Sequence, residues 1–249
     1  ITISMFKKMQ RIILIALTTL ALNSGLLFSQ IDSAAIAILD NMNDVVTGLE
    51  SCSFELKTEY DIYSTRLGLV KHSDLAEVFM NAPDKIFVRK KGDSGQKEYY
   101  CDGKTFTYYS IDSKIYAQVP SMPSIIETIE AISESYGVEV PAADVFYPDL
   151  VDKLLENSDN LSYLGLTEIS GKECFHIAGT NDELTFQIWI MNDKNYLPAK
   201  LNVVYTNNAG SPQYSALFSN WNLNPVLQDS MFDFKVPSDA VKTVIKTVK

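Results

Sequence analysis

The sequence lacks the short motifs by which the common classes of enzyme and metal site are recognised. It has no C-x-x-C pair, no H-E-x-x-H segment, no G-x-S-x-G elbow and no glycine-rich phosphate loop. Histidine is scarce, with His72 and His176 alone in the chain. These absences argue against disulfide exchange, metal-dependent or serine-dependent hydrolysis and nucleotide chemistry. We therefore expect a protein that is not an enzyme and that needs no cofactor.

The sequence also contains fewer basic than acidic residues. The chain has 21 Lys and Arg residues against 31 Asp and Glu residues, and its formal net charge is −10 at pH 7. One cluster of cations, Lys7, Lys8 and Arg11, lies close to the N-terminus. An acidic body without a basic patch repels phosphate backbones. We therefore expect no binding to nucleic acid.

The longest apolar run is too short to cross a membrane, which takes roughly 20 residues. It extends over residues 12–22, follows the three N-terminal cations and precedes the polar residues 23–25, a layout typical of a secretory signal peptide. We predict a signal peptide at residues 1–29, cleaved after Ser29, and a single domain at residues 30–249. Loss of three cations and no acid would change the formal charge from −10 to −13. The expected mature protein is periplasmic, soluble and not membrane-spanning.

The three cysteines, Cys52, Cys101 and Cys174, leave at least one thiol unpaired within the chain. A disulfide between Cys101 and Cys174 is one alternative in an oxidising compartment, and three reduced cysteines packed as small apolar residues are the other. Cys174 and His176 alternate on one predicted strand and offer two ligands to zinc or copper. Further ligands are not apparent, so the sequence favours packing in the sheet and no metal.

The period of the apolar residues changes soon after the predicted cleavage site. Residues 33–49 have apolar side chains at three- and four-residue spacing, which predicts a helix capped by Asp32 or Ser33. From Cys52 to Tyr63 the even positions are mainly apolar and the odd positions mainly charged. This alternation predicts a long antiparallel strand with one buried face.

Further strands alternate with turn signals along most of the chain. Asp102 and Gly103 indicate a two-residue hairpin, and Gly171 and Gly210 indicate later turns. Between Pro120 and Glu156 the strand period is lost, and two helices are predicted. The first has isoleucines at helical spacing over residues 125–132 and ends near Gly137, and the second covers residues 148–156. The further predicted strands are residues 75–80, 85–90, 98–101, 105–110, 114–119, 161–167, 173–178, 184–191, 199–206 and 213–221. The fold class predicted is α+β, with about ten antiparallel strands and three helices.

Several segments resemble a family of predicted periplasmic proteins, domain of unknown function 2092. The segments are GKECFHI (171–177), FQIWI (186–190), GSPQYSALFSNWNLNP (210–225), DGKT (102–105) and PAAD (141–144). The family is similar to the lipoprotein-carrier superfamily of LolA and LolB type. That resemblance implies an open, unclosed antiparallel β-barrel with an N-terminal helix and two inserted helices in or over its mouth. By analogy of fold it also implies binding of acyl chains in the barrel.

Two functions follow from this fold. The first is a carrier of a lipid or lipoprotein acyl chain, which predicts a sizeable apolar cavity and a helical lid. The second is a structural or protein-interaction module of the envelope, which predicts a filled barrel and an exposed edge strand. For the carrier, eight strand residues are predicted to line the barrel. They are Phe54, Leu56, Tyr60, Phe106, Tyr108, Phe186, Ile188 and Phe218. The C-terminal residues 238–249 are open to interpretation as a last short strand or a loose tail.

Overall fold

The computed structural model describes residues 30–137, 140 and 142–245. Contacts divide the chain into two units, Ile1–Gln30 and Ile31–Lys249, and the architecture below is that of the second unit. The predicted signal peptide and its cleavage site lie outside the described residues. The prediction of a single domain from residue 30 onward stays a prediction.

The described residues form one sheet of thirteen strands with three α-helices. The strands are β1 (Gln30–Ile31), β2 (Ser51–Ser64), β3 (Gly68–Asn81), β4 (Lys85–Gly92), β5 (Gly95–Asp102), β6 (Thr105–Ser110), β7 (Ile115–Pro120), β8 (Asn160–Ile169), β9 (Lys172–Thr180), β10 (Leu184–Met191), β11 (Pro198–Tyr205), β12 (Gln213–Leu223) and β13 (Val241–Lys242). The helices are α1 (Ser33–Thr47), α2 (Ile125–Tyr136) and α3 (Leu150–Asn157), with short 3-10 turns at Ala143–Phe146 and Asp229–Met231.

The sheet is built from two consecutive meanders joined edge to edge. Its order is β1-β8-β9-β10-β11-β12-β2-β3-β4-β5-β6-β7-β13. The pairing of β12 with β2 joins the meanders, and its register places Tyr214 opposite Tyr60. No ladder among the described strands closes the two ends of this order on each other. The open, unclosed antiparallel barrel of α+β class expected from the sequence is confirmed.

Helix α1 begins where the sequence predicts it. The Asp32 carboxylate accepts a hydrogen bond from the Ala34 N–H at 2.8 Å and so caps the helix. The predicted apolar stripe is buried, with Ala35, Leu39 and Met42 fully inaccessible. The helix ends at Thr47, two residues before the predicted end.

Strand β3 is longer than expected, because its first half carries no apolar alternation. The prediction began at Leu75, whereas pairing with β2 starts at Gly68. Residues 68–74 are polar or exposed at most positions. Their strand conformation comes from the continuous ladder with β2 and not from burial.

The outer face of the sheet is covered at one side by the C-terminal segment. Phe232 is fully buried, and the Phe234 ring lies 5.4 Å from Tyr100, 5.4 Å from Tyr109 and 5.2 Å from Tyr116. Beyond these residues, β13 pairs in parallel with β7. The C-terminal segment therefore contains a last short strand.

Candidate functional site

One end of the barrel interior, which we call the helix-filled end, is occupied by α2 and the turn Ala143–Phe146. The N-terminus of α2 carries a capping box, in which Ser124 and Glu127 exchange side-chain and backbone hydrogen bonds. The Ile125 N–H donates to the Pro83 carbonyl at 2.8 Å, which fixes α2 against the turn between β3 and β4. Phe146 stacks on Phe54 at 5.7 Å. Both predicted helices are present, as α2 and α3, and α2 with the turn Ala143–Phe146 fills this end of the interior.

Between α2 and the strands lies a small apolar space, the chamber, of about 60 Å³. By this measure one water molecule needs about 10–15 Å³, so the chamber has room for a few water molecules and not for a lipid chain. Its lining is almost entirely apolar. Lining residues include Phe54, Leu56, Ala76, Val78, Val88, Phe106, Ile125, Ile129, Phe146 and Phe218. The sizeable cavity that the carrier hypothesis predicts is absent from the helix-filled end in this conformation.

A buried ion pair separates the chamber from the open end of the barrel. Lys90 Nζ lies 2.7 Å from Asp74 Oδ2, and Asp74 is only 2% exposed. Ser94 Oγ donates to Asp74 Oδ1 at 3.0 Å, and Tyr60 Oη donates to Asp74 Oδ2 at 3.3 Å. Desolvation would by itself raise the pKa of Asp74, but the hydrogen bonds and charge of Lys90 with the bonds from Ser94 outweigh it and lower this pKa. Asp74 is therefore charged at neutral pH.

A glycine makes this ion pair sterically feasible. A Cβ atom added to Gly92 would collide with the Ser73 carbonyl oxygen and the Asp74 carboxylate. Gly92 lies opposite Asp74 in the ladder between β3 and β4. The close approach of the two strands at this point lets Ser94, two residues after Gly92 in the turn, reach the carboxylate.

Beyond the ion pair, at the end of the barrel away from α2, the interior opens into a cleft of about 710 Å³. We call this cleft the vestibule. It shares Lys90 and Tyr99 with the chamber, so the two spaces adjoin. Its lining is rich in tyrosine and polar residues. The lining residues are Tyr60, Asp61, Lys90, Ser94, Lys97, Tyr99, Tyr108, Tyr205, Asn208, Pro212, Gln213 and Tyr214.

The eight residues predicted to line the barrel fall into three groups. Phe54, Leu56, Phe106 and Phe218 line the chamber. Tyr60 and Tyr108 line the vestibule. Phe186 and Ile188 are buried on β10 and line neither space. Phe186 lies over Gly179, where an added Cβ would collide with its ring. All eight lie on the inner side of the sheet, but six of them border an open space.

Sequence reasoning missed the polar residues between the two spaces. Asp74 is in phase with the buried Ala76 and Val78 of β3, and Lys90 is in phase with Ile86 and Val88 of β4. When an acidic and a basic residue occupy positions that alternate with buried apolar residues on two neighbouring strands, the pattern indicates a buried ion pair. The signal was missed because the predicted strand began at Leu75, one residue after Asp74.

The cysteines and His176 are packed in the sheet. Cys52, Cys101 and Cys174 are all free and buried, so the alternative of a disulfide between Cys101 and Cys174 is not realised. Burial raises the pKa of Cys52 to about 12, which leaves this thiol protonated and unreactive. His176 stacks on Trp189 at 4.4 Å and bonds to Gln187. In the part of the chain that the structure describes, no group of three or more potential ligands could hold a metal.

A family model matches residues 35–246, which is most of the chain, and its description is "Predicted periplasmic protein (DUF2092)". The chain belongs to this family. The family expected from the sequence is thus confirmed, and with it the description of the family as periplasmic. None of the curated proteins matches the DUF2092 chain.

The fold is shared with a solved bacterial lipoprotein. The crystal structure of Mycobacterium tuberculosis lipoprotein LppX is 19% identical and matches with a TM-score of 0.51 over 79% of this chain and 98% of that one. An uncharacterised conserved protein from Thermus thermophilus is 12% identical (TM-score 0.49; 85% and 99% covered). LprF from Mycobacterium bovis is 15% identical (TM-score 0.48; 84% and 99% covered). At such identity the likeness to LppX is one of fold.

The described part of the DUF2092 chain has α-helices of 15, 12 and 8 residues. Among its residues, no helix combines the length and the apolar character that a membrane crossing requires.

Proposed function

We propose that the protein is a non-catalytic periplasmic carrier that holds a hydrophobic ligand, a lipid or a lipoprotein acyl chain, inside the open barrel. The observation that carries this proposal is the nature of the chamber wall. One side is sheet, but the other is the apolar stripe of α2 with Phe146. A wall made by an inserted helix can move without breaking a strand ladder.

The small chamber volume defines how such a carrier works. A chain-like ligand enters only if α2 and the turn Ala143–Phe146 move away from the strands. The ligand then takes over the apolar contacts of Ile125, Ile129 and Phe146 with the inner face of the sheet. Because the ligand covers the inner face of the sheet that α2 leaves, the displacement costs less than exposing both the sheet and the stripe to water. We infer that this helical segment is a plug that the ligand replaces.

The first test is native mass spectrometry with lipid extraction on the mature protein, purified without detergent from its own envelope fraction. Stoichiometric acyl lipid or lipoprotein supports the carrier and identifies its cargo. Protein that is empty and that also fails to take up a fluorescent fatty-acid probe contradicts the proposal.

A matched pair of variants tests the plug. Ile129→Ala shortens a plug side chain that lines the chamber, whereas Ile177→Ala shortens a fully buried side chain of β9 that lies outside it. Both remove a core isoleucine, and each costs about 2–5 kcal/mol of stability. We expect Ile129→Ala alone to increase probe uptake. An equal change in both variants would instead indicate a general loosening of the core.

A second candidate function is an interaction module of the envelope, and the edge of the sheet favours it. Asp32 bonds to Leu161 and Tyr163, so the short β1 covers only the first part of β8. Among the described residues no strand pairs with the rest of this edge, where Leu164 and Leu166 are 56% and 52% exposed. Such an edge can accept a strand from a partner. The test is partner capture from envelope extract by the native protein and by Leu164→Lys combined with Leu166→Lys, which should abolish it.

A further inference from the structure

Two lysines lie side by side on the inner face of the barrel. Lys90 of β4 and Lys97 of β5 are direct partners in the antiparallel ladder, and both line the vestibule. Directly opposite residues have Cβ atoms roughly 5 Å apart, and like charges in this position destabilise a sheet. The arrangement is therefore costly unless each cation has an anionic partner.

The vestibule provides a carboxylate for only one of these cations. Asp74, which lines the adjoining chamber, is bonded to Lys90 at 2.7 Å, and the one acid of the vestibule lining, Asp61, lies 2.9 Å from Lys71. Lys97 forms no ion pair with any residue that the structure describes. The chain as a whole has an excess of acids, with a formal net charge of −10, so an uncompensated cation inside the barrel is not a consequence of composition.

Hydroxyl groups surround the same position. Tyr99 follows Lys97 on the inner face of β5, and Tyr108 lies opposite Tyr99 in the ladder with β6. Their rings are 5.6 Å apart. Burial raises the pKa of Tyr99, and burial together with Asp74 raises that of Tyr60. The Tyr99 hydroxyl therefore stays protonated at neutral pH and, like the Tyr108 hydroxyl, can donate a hydrogen bond to an anion.

We propose that the vestibule binds the anionic head group, a carboxylate or a phosphate, of an amphiphile whose hydrocarbon chain occupies the chamber. Lys97 supplies the charge, and the hydroxyls of Tyr99 and Tyr108 supply hydrogen bonds. The chain passes Tyr99, which borders both spaces, and enters the apolar interior. This inference rests on the carrier proposed above and adds the chemical class of its ligand.

The experiment compares a fluorescent polyene fatty acid with its methyl ester, which has the same chain and no charge. The ester lacks the charge that pairs with Lys97, so the native protein should bind the acid at least about tenfold more tightly than the ester. In Lys97→Gln the preference for the acid should disappear while the affinity for the ester is unchanged. Lys97→Arg keeps the positive charge and should keep the preference for the acid. Lys91→Gln, which changes an exposed lysine of β4, is the matched control and should behave as the native protein.

The outcomes separate this inference from the carrier itself. Equal binding of acid and ester by the native protein overturns the head-group site but does not contradict the carrier proposal. A preference for the acid that survives in Lys97→Gln overturns the assignment to Lys97. Binding of neither compound overturns both proposals. Displacement of the bound acid by dodecanoate or by dodecyl phosphate distinguishes a carboxylate from a phosphate head group, and either result supports the site.

Discussion

The two ends of the barrel are built from the same strands, but the inner side chains are buried at one end and exposed at the other. At the helix-filled end, the inner positions of β2 are buried, with Phe54 only 5% and Leu56 only 4% exposed. At the vestibule end of the same strand, Ile62 is 49% exposed. The alternation of side chains is unbroken from one end to the other, but only half of it faces a core.

The difference between the ends shows where the stability and the accessible polar groups lie. The helix-filled end has tightly packed rings, with Phe54 4.3 Å from Trp221 and 5.8 Å from Phe218. The vestibule end has an ion pair, tyrosine hydroxyls and exposed hairpin residues. We expect substitutions at the first end to change mainly the free energy of unfolding, and substitutions at the second end to change mainly ligand binding.

The largest effect is expected from Phe54→Ala. It removes a ring that contacts Phe146, Phe218 and Trp221, and the loss of packing should reduce stability by about 3–5 kcal/mol. Ile62→Ala, eight positions later on the same face of β2, is the control and should change stability by less than about 0.5 kcal/mol. Urea unfolding followed by circular dichroism measures both. Similar losses in the two variants would remove the distinction between the ends.

Breaking the buried ion pair should have the next largest effect. Lys90→Met leaves the Asp74 carboxylate without its cation, and we expect a loss of about 2–3 kcal/mol. This is less than for a fully enclosed pair, because the Lys90 side chain keeps 14% exposure beside the vestibule. Combining it with Asp74→Leu should recover most of the loss, since neither charge is then buried alone. A double variant as unstable as Lys90→Met would show that the loss comes from packing and not from charge.

The ion pair between Asp74 and Lys90 should make the free energy of unfolding depend on pH. The pKa of Asp74 is lowered in the folded protein, so its contribution is complete above the unfolded pKa of about 3.9 and is lost as pH falls through the folded value. The stability difference between the native protein and Asp74→Asn should therefore be largest near neutral pH and decrease below about pH 4. Urea midpoints measured over this range test it. A difference that grows on acidification would contradict the assigned direction.

A smaller effect is expected at the N-terminus of the plug. Ser124→Ala removes the capping hydrogen bond to the Glu127 N–H, and the loss should be about 1 kcal/mol. Ser135→Ala, in the exposed last turn of α2, is the control and should have little effect on stability. If α2 moves as a plug, Ser124→Ala should also speed up uptake of a fluorescent fatty acid. Stopped-flow fluorescence measures the rate, and an unchanged rate would argue against movement of α2.

The smallest effect is expected at the tip of the hairpin between β2 and β3. Leu67 is 66% exposed, so Leu67→Gln should change stability by less than about 0.5 kcal/mol. Thermal unfolding measures this. A larger loss would mean that the vestibule end is more tightly packed than its exposure indicates.

The sequence predicts the helices and strands of this fold well. It does not predict which inner positions of the strands are covered by α2 and which border the vestibule. Period-two alternation and turn residues predict β2, β4 and β6, and the capping residue predicts α1, because these signals are local. Tyr60 and Phe54 occupy equivalent phases of β2, and nothing local indicates that α2 covers one and leaves the other bordering a cleft. That difference depends on the packing of α2, more than sixty residues away in the chain.

The aromatic residues of the candidate site were predictable, including the two predicted tyrosines that line the vestibule. Aromatic residues in the inner phase pointed to Phe54, Phe106 and Phe218, which do line the chamber. Lys97 lies in a stretch where both faces carry polar residues, so its direction cannot be inferred from the pattern. Its position inside the barrel follows from its register with Lys90, which is a property of the ladder.

The edge-to-edge pairing of β12 with β2 also bears on the order in which the protein folds. Each meander pairs strands that are neighbours in sequence, whereas the pairing of Tyr60 with Tyr214 closes a loop of roughly 150 residues. Contacts of such long range slow folding, because the entropy of closing the loop is lost before the new ladder stabilises it. The two meanders should form early and their joining should be rate-limiting. Final assembly of the sheet therefore waits until strand β12 has been synthesised.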